Sequence, residues 1–141
     1  MAQRIGTRGG VTLFRYLSRL YDTISSRADV TVEYLDVPQP SQVIGRLKGR
    51  LRFADSSLLE FEEEVRPRGN RAIDKVHYSY HHQRADGKTI FRYDNAPHHR
   101  AVKTFPHHKH VGEKIGSADA PDLHDVLREI DEYLEAKRAP S

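Results

Sequence analysis

The 141-residue chain contains no cysteine, and that one absence excludes disulfide bridges, thiolate metal sites and cysteine nucleophiles together. Any metal would have to be held by His, Asp or Glu, and the chain suits a reducing compartment. Apolar runs are short: none approaches the roughly 20 residues of a membrane-spanning helix, and Met1 to Gly10 lacks the apolar middle of a signal peptide. The expectation is a cytosolic protein with no membrane partner. Also missing are the Gly-x-Ser-x-Gly elbow, the P-loop, the Gly-x-Gly-x-x-Gly turn and the His-Glu-x-x-His zinc motif. No cofactor and no metal is therefore expected.

What is present is histidine. Eight of the nine lie between His77 and His110, and His98, His99, His107, His108 and His110 crowd one stretch beside Arg92, Asp94, Asn95, Arg100, Lys103 and Lys109. Imidazole takes and gives a proton near neutral pH and is also the commonest metal ligand. The formal charge of +3 counts all nine histidines as neutral. Basic residues gather at Arg4 to Arg27, at Arg46 to Arg52 and beside the histidines, a distribution that suits a polyanion such as RNA or DNA.

Patterning predicts one α+β domain over 11–138, preceded by a loose basic arm over 1–10. Leu13, Leu17, Leu20 and Ile24, joined by Phe14 and Tyr21, recur at helical spacing. Thr31 to Val37 is β-branched and aromatic, and Pro38-Gln39-Pro40 stops it. Val43 to Phe53 and Leu59 to Val65 alternate apolar with charged residues, as half-buried strands do. With Asp55-Ser56-Ser57 as their loop, Phe53 meets Leu59, Leu51 meets Phe61, and Arg52, Arg50 and Lys48 face Glu60, Glu62 and Glu64 as a charge ladder. Glu63 then points to the apolar side opposite Gly49, and an inward carboxylate needs a partner or a task. A second hairpin, Ile73 to Gln83 and Lys88 to Asp94, closes on Asp86-Gly87 and pairs Tyr80 with Tyr93, His82 with Phe91, His81 with Arg92 and Ser79 with Asp94. Its polar side, with His77, Ser79, His81, Arg92 and Asp94, leads into the histidine stretch, expected as a loop. A last helix opens at Pro121, with Asp119 as cap and Leu123, Val126, Leu127, Ile130 and Leu134 as its stripe. The expected architecture is an antiparallel sheet of about five strands with an N-terminal and a C-terminal helix.

Cleavage of a phosphodiester without metal needs a base for the ribose 2′-hydroxyl, an acid for the leaving oxygen and cations for the charge that develops on phosphorus. The histidines supply the first two. Arg92, Arg100, Lys103 and Lys109 supply the third, Asp94 orients an imidazole, and Glu63, His81, Tyr93 and Asn95 complete the candidate set. Two alternatives stay open: a binding module that grips nucleic acid or a protein partner without turnover, and a metal-dependent nuclease or nucleotidyltransferase. Whether the chain acts alone or as a homodimer is open as well.

Ser57-Leu58-Leu59 with Glu63, His77-Tyr78-Ser79-Tyr80-His81, Phe91-Arg92-Tyr93-Asp94-Asn95-Ala96-Pro97-His98-His99, Phe105-Pro106-His107-His108-Lys109-His110 and Leu123-His124-Asp125-Val126-Leu127-Arg128-Glu129-Ile130 together resemble the TumE family, over about Arg15 to Leu134. The resemblance implies the toxin of a type II toxin–antitoxin pair, inhibited by direct binding of an antitoxin that carries a DNA-binding domain. It fixes no reaction; action on RNA is inferred from the histidine chemistry and from what most such toxins do. His82 stands where the family pattern usually has an aromatic residue.

Overall fold

Two helices cover one face of a seven-stranded antiparallel meander, and among the described residues the other face carries no helix. The computed structural model describes the backbone of residues 2–39 and 44–138, with side chains from residue 12 onward. Helix α1 (Ala2–Ser25) is followed by β1 (Thr31–Asp36), β2 (Gly45–Arg52), β3 (Leu58–Arg68), β4 (Ala72–Gln83), β5 (Thr89–Asp94), β6 (His108–Val111), β7 (Lys114–Ser117) and α2 (Leu123–Arg138). The strands lie in the sheet in chain order. The fold is α+β, with two strands more than expected, because His108 to Val111 and Lys114 to Ser117 pair as a hairpin around Gly112-Glu113. Gly112 has φ +59, the geometry of a two-residue turn with glycine first. Helix α1 begins at Ala2, where a loose arm through Gly10 was expected; the expected strand start at Val43 lies outside the described residues.

The core lies between helices and sheet. Leu13, Leu17, Leu20 and Ile24 of α1 and Leu123, Val126, Leu127, Ile130 and Leu134 of α2 pack with Leu47, Leu51, Leu59, Phe61, Val65, Tyr80 and Phe91. Phe14 and Tyr21 do not join the stripe and stay 59% and 44% exposed. The cap of α2 is Asp122 rather than Asp119. Its Oδ1 accepts from Asp125 N–H at 2.8 Å while Asp125 Oδ2 accepts from Asp122 N–H at 3.1 Å, a reciprocal capping box.

The first hairpin keeps the expected faces but slips by two residues: Leu51 pairs with Leu59, Gly49 with Phe61 and Leu47 with Glu63. Turn chemistry causes the slip. Asp55 Oδ1 accepts from Ser57 N–H at 2.9 Å, Ser56 takes the left-handed conformation (φ 70), and Phe53 N–H donates to Ser57 O at 2.9 Å, so the loop is Ala54 to Ser56. The charge ladder is accordingly Arg46, Lys48 and Arg50 against Glu64, Glu62 and Glu60, and Arg52 grips Glu33 of β1 with two nitrogens. The space at Gly49 is used by the Phe61 ring, which any Cβ there would meet at 2.4 Å.

The second hairpin pairs as expected, although its loop is longer than two residues: Arg84 N–H bonds Lys88 O, and Gly87 (φ 88) sits inside the turn. His82 is fully buried, edge-on to Phe53, Phe91 and Tyr133 at 5.2 to 5.8 Å between centroids, so imidazole fills an aromatic cage. Its Nε2 meets Ser57 Oγ at 3.0 Å, and among the described residues its Nδ1 has no hydrogen-bond partner. Burial pushes its pKa down to about 4.

Candidate functional site

Alternation along the strands decides which side chains can meet. On the helix-free face, Ser79, Asp94, His108 and Ser117 form one row across β4 to β7, and His81, Arg92, His110 and Ile115 form the next. His99 arrives over these rows from the 95–107 connection, whose turns are pinned by His98 N–H on Ala96 O, Val102 N–H on His99 O and Thr104 Oγ1 on His107 O. The His99 ring lies 4.8 Å from His108 and 5.5 Å from His110.

Asp94 is the hub of this group. Its Oδ1 accepts from Ala96 N–H at 3.0 Å and lies 2.9 Å from His108 Nε2, while its Oδ2 lies 3.0 Å from Arg92 Nε and 3.6 Å from His110 Nε2. Asp94 and His108 are 4% and 2% exposed, so their contact is made with little water around it. His108 Nδ1 faces Pro106 O at 2.9 Å. Both nitrogens of that ring thus face oxygens that only accept, and at 2.9 Å the contact between Nε2 and the carboxylate is a hydrogen bond that holds a proton. Arg92 keeps about half of its side chain in solvent, leaving guanidinium nitrogens for a ligand. Burial holds the His110 pKa down against the pull of Asp94, with the cations Arg92 and His108 assisting, which favours neutral imidazole. The ligand atoms of His99, His108 and His110 lie within 4.8 Å of one another, so these three are the residues that could converge on a metal.

Other candidates lie elsewhere. Tyr93 and Lys109 point to the helix side, where Tyr93 O–H and Lys109 Nζ reach the two oxygens of Glu129 at 2.5 and 2.7 Å. Asn95 is spent on backbone, accepting from Tyr78 N–H at 3.0 Å and donating to Val76 O at 2.8 Å. His107 stacks on Tyr78, and its Nδ1 meets the Tyr78 hydroxyl at 2.9 Å. His81 does line the open face, with Nε2 2.7 Å from Thr89 Oγ1 and a pKa lowered by burial and by Arg92. His98, Arg100 and Lys103 are exposed on the connection, outside the cluster.

Glu63 is likewise not part of the cluster. It is 2% exposed on the helix side, where Tyr16 of α1 donates to Oε1 and Tyr80 to Oε2. Lys75 Nζ donates to Tyr80 Oη at 2.5 Å and Pro121 O at 2.6 Å and stands 4.0 Å from Glu63. Burial and the Glu63 charge raise both tyrosine pKa values, so the hydroxyls stay donors. The network ties α1 and the entry to α2 onto β3 and β4.

Two clefts of about 350 and 260 Å³ run over the open face beside Arg92, sharing Lys48, Glu62 and Ser79; the larger reaches Asp94 and the smaller reaches Tyr34. Tyr34 and Ser79 line these clefts and are outside the candidate set read from the sequence, although period two already puts Ser79 with His81.

The family profile described as Toxin TumE matches residues 17–134. The chain belongs to the TumE toxin family. The match spans the sheet, the whole Asp94/histidine cluster, the C-terminal part of α1 and most of α2. No curated protein and no solved structure matches the chain. As a TumE-family toxin it has a cognate antitoxin as its implied partner, and among the described residues no helix is long and apolar enough to cross a membrane.

Proposed function

We propose that this toxin is a metal-independent endoribonuclease whose reaction centre is the Asp94-anchored cluster of His99, His108 and His110 with Arg92. The observation that carries the reading is the placing of two partly exposed imidazoles, His99 and His110, around a buried His108–Asp94 pair, with a half-exposed guanidinium beside them. His110, biased towards its neutral form, takes the proton of a ribose 2′-hydroxyl. The 2′-oxygen bonds to phosphorus, the bond to the 5′-oxygen breaks, and His99 donates the proton that oxygen needs. Arg92 holds the phosphoryl oxygens as their charge grows. His108 is too buried to touch substrate; with Asp94 it positions the other two. The products are a 2′,3′-cyclic phosphate and a 5′-hydroxyl, and the reaction fits a cytoplasmic toxin held in check by its antitoxin.

A second reading is a metal-dependent nuclease, in which His99, His108 and His110 would hold an ion that would activate water. The hydrogen bond from Nδ1 to the Pro106 carbonyl is the kind that orients a ligating imidazole. Incubation of purified toxin with total RNA and with DNA, with and without chelator, decides between them. Chelator-resistant cleavage of RNA alone, leaving cyclic phosphate ends, is expected. Loss on chelation with recovery on adding Mn²⁺ or Zn²⁺, or equal cutting of DNA, moves the assignment to the metal enzyme; tight binding without turnover moves it to a binding module.

A further inference from the structure

The ladder between β2 and β3 has three opposed rungs, and only the outer two are closed. Arg46 pairs with Glu64 at 2.9 Å and Arg50 with Glu60 at 3.3 Å. Lys48 and Glu62 face each other in the register and are both exposed, yet among the described residues neither makes an ion pair or a hydrogen bond. Both stand in the clefts of the open face, with Ser79 beside them. The smaller cleft ends at Tyr34, 36% exposed, whose ring is backed by the Arg50 guanidinium 5.3 Å from its centroid.

One cleft therefore offers an aromatic face, an uncommitted carboxylate, an uncommitted ammonium and a hydroxyl, and it adjoins Arg92 of the reaction centre. Stacking on an aromatic ring with hydrogen bonds to the Watson–Crick edge is how unpaired RNA bases are held. A carboxylate presents two acceptors. Of the four RNA bases only guanine turns two adjacent donors, N1–H and the N2 amino group, to that edge, with O6 next to them for an ammonium or hydroxyl. Cytosine and adenine offer one amino group beside an acceptor, and uracil offers one N–H between two carbonyls.

We propose that Tyr34, Lys48, Glu62 and Ser79 form a guanine-recognising subsite for single-stranded RNA. Tyr34 stacks on the base, Glu62 accepts from N1–H and N2–H, and Lys48 donates to O6. The inference rests on the ribonuclease reading for what happens at the neighbouring phosphate, though not for binding of the base. Two to three strand spacings, roughly 10–14 Å, separate Glu62 on β3 from Arg92 on β5 and the histidines on β6. The guanine read there belongs to a nucleotide near the scissile bond rather than to the one attacked.

The test uses fluorescein-labelled 2′-O-methyl RNA hexamers, whose blocked hydroxyl allows binding to be measured without turnover. All-uridine hexamer and uridine hexamer with one central guanosine are compared by anisotropy on the full-length toxin at fixed salt. We expect the guanosine hexamer to bind about tenfold tighter or more. Glu62→Gln, which keeps the shape but only one acceptor, should bring that preference below about threefold, and Tyr34→Ala should weaken both hexamers about tenfold. Both positions are exposed, and unchanged thermal melts verify the variants. Equal binding of the two hexamers by wild type, no binding of either, or a preference untouched by Glu62→Gln overturns the subsite. Mapping of cut ends on unmodified RNA separates the two proposals. Cleavage with no fixed relation to guanosine sinks the subsite and leaves the ribonuclease, whereas selective binding of guanosine hexamers without cleavage of any RNA sinks the ribonuclease and leaves the subsite.

Discussion

Glu63→Ala tests whether the inward carboxylate is a structural tie. The substitution leaves the Tyr16 and Tyr80 hydroxyls without their acceptor and Lys75 without the charge 4.0 Å away, all inside the core. An unmatched buried hydroxyl costs about 1–2 kcal/mol, and removing one partner of a buried charged group costs about 3–5 kcal/mol in total. We expect a loss of about 4 kcal/mol, seen as a fall in melting temperature of roughly 12 °C for a chain of this size and as a lower urea midpoint with unchanged slope. Glu63→Gln keeps one acceptor and turns the other into a donor, and should lose about half as much, roughly 2 kcal/mol. At a temperature where Glu63→Gln is fully folded, RNA cleavage or growth inhibition should match wild type, because the side chain faces α1 and not the histidines. A Glu63→Ala protein within 1 kcal/mol of wild type, or a folded and inactive Glu63→Gln, refutes the assignment.

His99→Ala and His110→Ala should abolish toxicity while melting within a few degrees of wild type, since both rings are partly exposed and carry little of the core; toxicity retained in both would sink the acid–base scheme. His108→Ala should instead lower stability by about 2–3 kcal/mol, because it strands a buried Asp94 oxygen, and its urea midpoint will show whether it does. For His82 the folded pKa of about 4 lies below the ordinary 6.5, so the unfolded chain takes the proton first as pH falls from about 6.5 towards 4, and stability should drop by roughly 3 kcal/mol across that window. His82→Phe, which keeps the cage filled, should remove that part of the slope in urea titrations at several pH values, and an identical slope would refute the assignment to His82.

What could be read from the sequence is what has a period. The faces of β2 to β5 follow from apolar alternation, and a register slip of two leaves them intact, so Glu63 points inward as its parity implies while the residue opposite it is Leu47 rather than Gly49. The slip itself was decided by one Asx contact and one left-handed serine, and Asp55-Ser56-Ser57 permits that loop and its neighbour equally. Strands β6 and β7 are not legible in the sequence because His108-Lys109-His110 has no apolar alternation, its outward face being the site itself; Gly112-Glu113 is the one turn signal there. The histidine stretch announced chemistry by composition alone. Which rings meet is a matter of strand parity and of a connection with no period, so His107 and Lys109, adjacent to the cluster in sequence, turn away from it.

The same parity explains how one short strand pair serves both stability and reactivity. Along β4 and β5, Tyr80, His82, Phe91 and Tyr93 face the helices while Ser79, His81, Arg92 and Asp94 face the open side. Each site residue is thus flanked in sequence by residues locked into the core, and a site mounted on packed strands is held more tightly than one on loops. Only His99 reaches the cluster from an irregular segment, and that segment is itself anchored to Asp94 through Ala96 N–H and to β6 through Pro106 O on His108. The carboxylate and the imidazole that form the hub are therefore also the fasteners of the loop that completes it. Folding of the 95–107 connection and assembly of the cluster are one event, and a variant that frees the connection should lose His99 from the cluster before it loses the sheet.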